Sequence, residues 1–161
     1  MAIRKAKKIG IVEFIHYKDE SINTDINEET GEPYSDVKAY QEEWDFEKHC
    51  VLREGITPTK FKVNFNINYD RAKAIKNSTI GGQGKDVGFK LGNYSYEVVQ
   101  NVLVGIEEPE DLELADRIVF KMEHNKVSKS TMEELEALGI IEDIFSFYQH
   151  FKENPDQLKK K

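Results

Sequence analysis

The stretch STIGGQGKDV, residues 78–87, sets three glycines and a lysine close together. Loops that wrap a nucleotide's phosphates with backbone N–H groups have this composition. The phosphate-binding pattern requires Gly where Thr79 stands and Ser or Thr where Asp86 stands. Aspartate supplies no hydroxyl to magnesium and adds negative charge where phosphate would lie. The preceding RAKAIKNS also reads as helix or loop instead of a buried strand. Nucleotide binding is therefore not expected, and Gly81, Gly82 and Gly84 are expected to serve a mobile loop joining two parts of the chain.

Two other constellations invite chemistry. Asp25, Asn27, Glu29 and Gly31 suggest a calcium loop, yet the EF-hand positions for Gly and for the closing Glu hold Thr30 and Asp36. His49 beside Cys50 suggests a thiol next to a base, but neighbouring strand residues point to opposite faces. Cys50 instead reads as a small core residue. His16, His49, His124 and His150 form no metal-ligand spacing, and a single cysteine excludes a cysteine-based zinc site or an internal disulfide. No catalytic residue, cofactor or metal is expected, and the chain does not read as an enzyme.

Charge is distributed unevenly. Arg4, Lys5, Lys7 and Lys8 make a basic N-terminal arm, and Lys159–Lys161 a basic C-terminal tip. From Asp19 to Glu47 there are eleven acidic residues and Lys38 as the one Lys or Arg. An acidic segment in a chain with basic ends suits pairing between subunits. Asp25, Glu28, Glu29 and Glu32, with the basic residues of the arm, are the expected partner contacts. The net charge of −7 argues against nucleic acid as a partner. No apolar run approaches the ~20 residues of a membrane span, and the N-terminus lacks a cleavage site, so a soluble, cytoplasm-made protein is expected.

The elements that would position these groups read as α+β, in one domain over residues 1–161. KIGIVEFIHY, residues 8–17, reads as a strand. An acidic excursion follows at 18–45, with a hairpin at its tip, and is a candidate arm that orders on a partner. WDFEKHCVL reads as a loose strand. In KFKVNFNINY, Phe61, Val63, Phe65 and Ile67 alternate with Lys62, Asn64, Asn66 and Asn68, the pattern of an antiparallel strand with one wet face. YDRAKAIKN suggests a short helix, and residues 78–88 the glycine-rich loop. The part from 94 to 153 reads as helical. Val98, Val99, Val102 and Leu103 share a helical face with strand as a rival. EPEDLELADRIVFKM suggests a helix started at Pro109, and Ser130 with Glu133 a capping box closed by Gly139. In IIEDIFSFYQHF, Phe145, Tyr148 and Phe151 read as core and Phe147 as an off-face contact for another chain. Asn154-Pro155 ends that helix.

From Val51 to His150, the order VLREGITPTKFKVNFNINYDRAKAI, then VVQNVLVGIEE, then STMEELEALGIIEDIF resembles small tailed-bacteriophage structural and tail-assembly proteins. The resemblance lies in the order of elements and carries no diagnostic motif. It implies a non-enzymatic chain that binds other phage structural proteins as a homo-oligomer or part of a larger assembly, in the virion or in the host cytoplasm during assembly. The acidic segment also admits a host-directed binding module or inhibitor.

Overall fold

The computed structural model describes residues 10–66 and 87–158. The basic arm with Arg4, Lys5, Lys7 and Lys8, the YDRAKAIKN segment, the Gly81–Lys85 cluster and the basic C-terminal tip lie outside those residues.

The alternating pattern forms β2 (Lys60–Asn64), whose Phe61 and Val63 are buried while Lys60, Lys62 and Asn64 stay half-exposed. It is the central strand of a three-stranded antiparallel sheet, between β1 (Ile11–Phe14) and β3 (Leu103–Glu107). Val12 stands opposite Val63 and Phe14 opposite Phe61 on the inner face. Lys62 pairs with Gly105 but Val63 with Leu103, leaving Val104 as a bulged extra residue in β3.

β3 continues without a loop from the helix Val87–Val102 (α3, after the two short helices below). Val98, Val99, Val102 and Leu103 are all buried, so the valine-rich run serves both as helix and as strand. α3 packs against the last helix, Ile141–Glu153, here α5. Ile144, Phe147, Tyr148 and Phe151 form its buried stripe at the spacing of one helical face. This corrects the expectation for Phe147. Only 3% exposed, it packs on Phe14 at 4.8 Å between ring centroids and on Phe151 at 5.0 Å, and it meets Trp44 edge-on at 6.4 Å. Phe145 sits at the margin, against Tyr94.

Two further sequence expectations give way to local hydrogen bonding. The WDFEKHCVL strand is instead the junction of two short helices, α1 (Val37–Glu43) and α2 (Phe46–His49). The Asp36 and Asp45 side chains accept from Ala39 N–H and Lys48 N–H, capping each start. Trp44 turns the chain between them in the left-handed region, φ 56°. The helix expected after Pro109 is only a short 3-10 turn at Leu114–Asp116. Arg117 explains why: its guanidinium donates to the carbonyls of Pro109, Glu110 and Leu112, satisfying them without helical geometry.

A small hairpin, β4 (Met122–Glu123) and β5 (Lys126–Val127), leads into α4 (Lys129–Ala137). Ser128, two residues before the expected cap, accepts from Thr131 N–H and starts this helix. Gly139, at φ 72°, closes it as expected. Gly139 N–H donates to Glu136 and Ile140 N–H to Leu135, the paired bonds of a Schellman ending.

Candidate interaction surfaces

The acidic excursion is knitted into its own chain by short-range polar bonds. Asp19, Asn23 and Asn27 each accept, through a side-chain oxygen, from the backbone N–H two residues on. Ser21 and Ile22 are buried, with Ile22 bridging Leu52 and Ser21 C=O accepting from Arg53 N–H at 2.6 Å. Ser35 Oγ accepts from Val51 N–H. Tyr40 reaches under β1 and donates its hydroxyl to Ile15 C=O at 2.5 Å. The segment expected to order on a partner is therefore packed on residues 50–53 and on β1.

Its tip is a hairpin, as its composition suggested: Ile26 bridges Pro33, and Tyr34 N–H donates to Asp25 C=O. The tip holds the acidic residues named from sequence. Asp25 pairs with Arg53 at 2.9 Å. Glu28, Glu29 and Glu32 are exposed, and among the described residues no cation pairs with them. Ile26 and Tyr34 stand exposed beside them. The calcium arrangement weighed there is not assembled. Asp25 is engaged by Arg53, and Asn27 Oδ1 by Glu29 N–H.

The other titratable groups are brought to different places. His49 Nε2 lies 2.7 Å from Glu43, and with Lys48 it holds the Glu43 carboxyl below its ordinary value. Cys50 is buried away from that pair. Burial, with Asp36 nearby, pushes its thiol up to about 11, the opposite of an activated nucleophile. His16, unremarkable in sequence, is buried and bonded to Asp143 at 2.6 Å, tying the exit of β1 to α5. Lys18 N–H donates to His16 Nδ1, so the ring hydrogen lies on Nε2, toward Asp143. One sequence alone carries no signal for a pair separated by most of the chain. Among the described residues no group of three or more His, Cys, Asp or Glu could hold a metal ion.

Two grooves remain. One, of about 610 Å³, is lined by carboxylates, including Asp19, Glu20, Glu108, Asp111 and Asp116. Two of these already serve the fold. Asp19 accepts from Ser21 N–H and Thr59 N–H, and Glu108 from Thr59 Oγ1 and Ile118 N–H. The other groove, of about 530 Å³, wraps β1, the outer strand of the sheet. Its walls are mainly apolar, from Ile15, Trp44, Phe46, Leu52 and Pro58, with Glu13 and Glu47 at hand.

No family model matches the chain, and no curated protein or solved structure matches it.

Proposed function

We propose that this chain is a non-enzymatic bacteriophage virion-structural or tail-assembly protein that works by binding other phage proteins. The observation that carries this reading is a pair of surface features: an outer strand beside an apolar groove, and a hairpin with exposed Ile26 and Tyr34. Outer strands and exposed apolar patches are surfaces on which other chains dock. The resemblance of residues 51–150 to phage tail-assembly proteins supplies the setting. The test is mass spectrometry of particles and tail intermediates sedimented from cells that make the chain. Peptides from it are expected in one of the two fractions, and absence from both sinks the reading.

The exposed carboxylates of Glu28, Glu29 and Glu32 favour a second reading, an acidic binding module directed at a basic host protein. On that reading, Gln at all three positions abolishes a salt-sensitive complex with a host protein. On the first reading the same change leaves incorporation into particles in place.

A further inference from the structure

We infer that the exposed side of α4 is an interface with a second copy of this chain, the two helices lying antiparallel across a two-fold axis. This names a partner within the proposed protein-binding function and rests on that reading. The chain from Ile118 to Lys121 runs alongside α4 in the opposite direction: Val119 N–H donates to Glu134 Oε2, and Lys121 N–H to Thr131 Oγ1. Beyond the C-terminal end of the helix, Leu138 and Ile118 help to line the carboxylate groove. At the N-terminal end, Lys121 C=O accepts from Ser128 N–H, where the β4–β5 hairpin enters the helix. One continuous face thus runs from the groove, along α4, to the hairpin. Large apolar side chains stand out along it: Leu114 is 79% exposed, Leu138 59%, Val119 50% and Met122 44%. Such a group held in water marks a contact surface.

Charge decides which partner covers this face. Glu20, Asp111 and Asp116 stand exposed at the groove end, and Lys121 and Lys129 at the hairpin end. Among the described residues, none of these side chains has an ion-pair partner. Arg117, beside the acids, is held by backbone carbonyls, and Glu123 stands opposite Lys126 across the hairpin. Lys121 and Lys129 therefore carry the positive excess at their end. The helix is also charged against its own dipole. Its first turn begins with Lys129 and holds no acid, and its last turn holds Glu134 and Glu136 and no base. Anions are favoured at a helix N-terminus and cations at its C-terminus, so this placement opposes the dipole in a single chain. An antiparallel second copy reverses that. Each lysine end meets the carboxylate end of the other copy, each dipole meets its opposite, and the apolar side chains cover one another about the axis. A face that is acidic at one end and basic at the other is self-complementary under a two-fold rotation, which closes a dimer. A uniformly basic partner would leave the lysines unmatched, and a uniformly acidic one the groove.

Light scattering of the wild type at low salt is expected to give twice 18.7 kDa, falling to the mass of one chain as salt rises. Lys121→Glu with Lys129→Glu is expected to yield single chains at low salt, and so is Asp111→Lys with Asp116→Lys. All four side chains are exposed, and Lys129→Glu sets an acid where the helix dipole favours it, so both variants should keep the wild-type far-ultraviolet spectrum. Mixed in equal amounts, the two variants are expected to recover the dimer. Reversed ends then face each other, as do native ends, and each pair is opposite in sign. Should either variant unfold, Val119→Glu decides in its place: it leaves the backbone bond to Glu134 intact, and single chains are expected at every salt concentration. A wild type that is a single chain at every concentration overturns the interface. A dimer that survives the charge reversals or Val119→Glu does the same, as does a mixture that stays as single chains. A single chain that still enters particles overturns the interface alone and leaves the proposed function standing. A dimer that responds as expected but is absent from particles and tail intermediates does the reverse.

Discussion

The aromatic seam beneath the sheet and the acidic excursion beside it are held by opposite means. In the seam, Phe14, Trp44, Phe65, Phe147 and Phe151 meet edge to face or tilted across four separate parts of the chain. In the excursion, few residues are buried, and several bonds run from a side chain to a backbone group two or three positions away. Apolar burial is non-directional and spans the whole fold. Short polar bonds fix local shape and contribute little to the distance between elements. The seam therefore carries global stability, and the excursion carries form, presenting its carboxylates and its exposed Ile26 and Tyr34 at a defined tip.

The sharpest way to break that contrast is Phe147→Ala. Truncating a fully buried phenylalanine costs about 3–5 kcal/mol, through lost transfer energy and the cavity left behind. Denaturant unfolding should show a midpoint shift of that size with an unchanged slope. A loss below about 1 kcal/mol, the size of a surface change, would mean that the rings are not the principal support. The same variant separates the two roles assigned to this residue: as a partner contact it would alter binding and leave stability intact.

Tyr40 joins the two regions, since it belongs to the excursion and its hydroxyl meets β1 at Ile15. Tyr40→Phe keeps the ring and leaves the Ile15 carbonyl without its donor, at a cost of about 1–3 kcal/mol. Burial, then the neighbouring Cys50, raises the Tyr40 phenol well above its ordinary 10.0. A raised acid resists ionising in the folded chain, so the unfolded chain loses its proton first. The stability tied to Tyr40 is thus present below pH 10.0 and lost as pH rises above it. Cys50 adds a loss that begins above its ordinary 9.0 and runs to about 11. Unfolding free energy measured upward from pH 8 should fall in the wild type. In Tyr40→Phe it should fall less steeply above the ordinary phenol value, and equal slopes would remove Tyr40 from the account.

Part of this organisation is legible in the sequence. The period-two run at Phe61 and Val63, the stop at Asn154-Pro155 and the turn-rich tip at Asn27–Gly31 each rest on local patterns, and each is found. What is not legible depends on distant neighbours. α1 shows only Val37, Tyr40 and Trp44 as an apolar stripe among acids, and forms because Tyr40 fits beneath β1. The segment after Pro109 has helical spacing, but Arg117 satisfies its carbonyls instead. Phe145 and Phe147 each sit at a helical interval from other apolar residues, and only the presence of Phe14 and Trp44 decides which ring is inside. The edge of β1 and the His16–Asp143 bond arise from sheet order and helix packing, which no window of sequence contains.

Gly139→Ala probes the joint between α4 and α5 at smaller cost. A Cβ at this position meets nothing within 4 Å, so the penalty is backbone strain at φ 72° and not a clash. Left-handed backbone costs an L-residue about 1–2 kcal/mol. A midpoint shift of that order is expected, with α4 retained in the circular dichroism spectrum. A neutral result would show that the Schellman ending tolerates a side chain and that Ile140 and Leu135 packing fixes the turn by itself.

The smallest effect belongs to the tip. Asn27→Ala removes the carboxamide that accepts from Glu29 N–H at 2.9 Å, at an exposed position. Global stability should change by no more than about 0.5 kcal/mol, as for other surface substitutions. Local opening is a different quantity, set by the bonds that hold the tip closed. Amide hydrogen exchange should accelerate at Glu29 and Gly31, whose N–H groups depend on Asn27, while the amides of Ile144 and Tyr148 keep wild-type protection. Equal acceleration at both places would mean that the excursion and the seam open as one unit. The hairpin would then be a load shared with the core instead of a separately shaped contact surface, and Glu28, Glu29 and Glu32 could not be altered without cost to the fold.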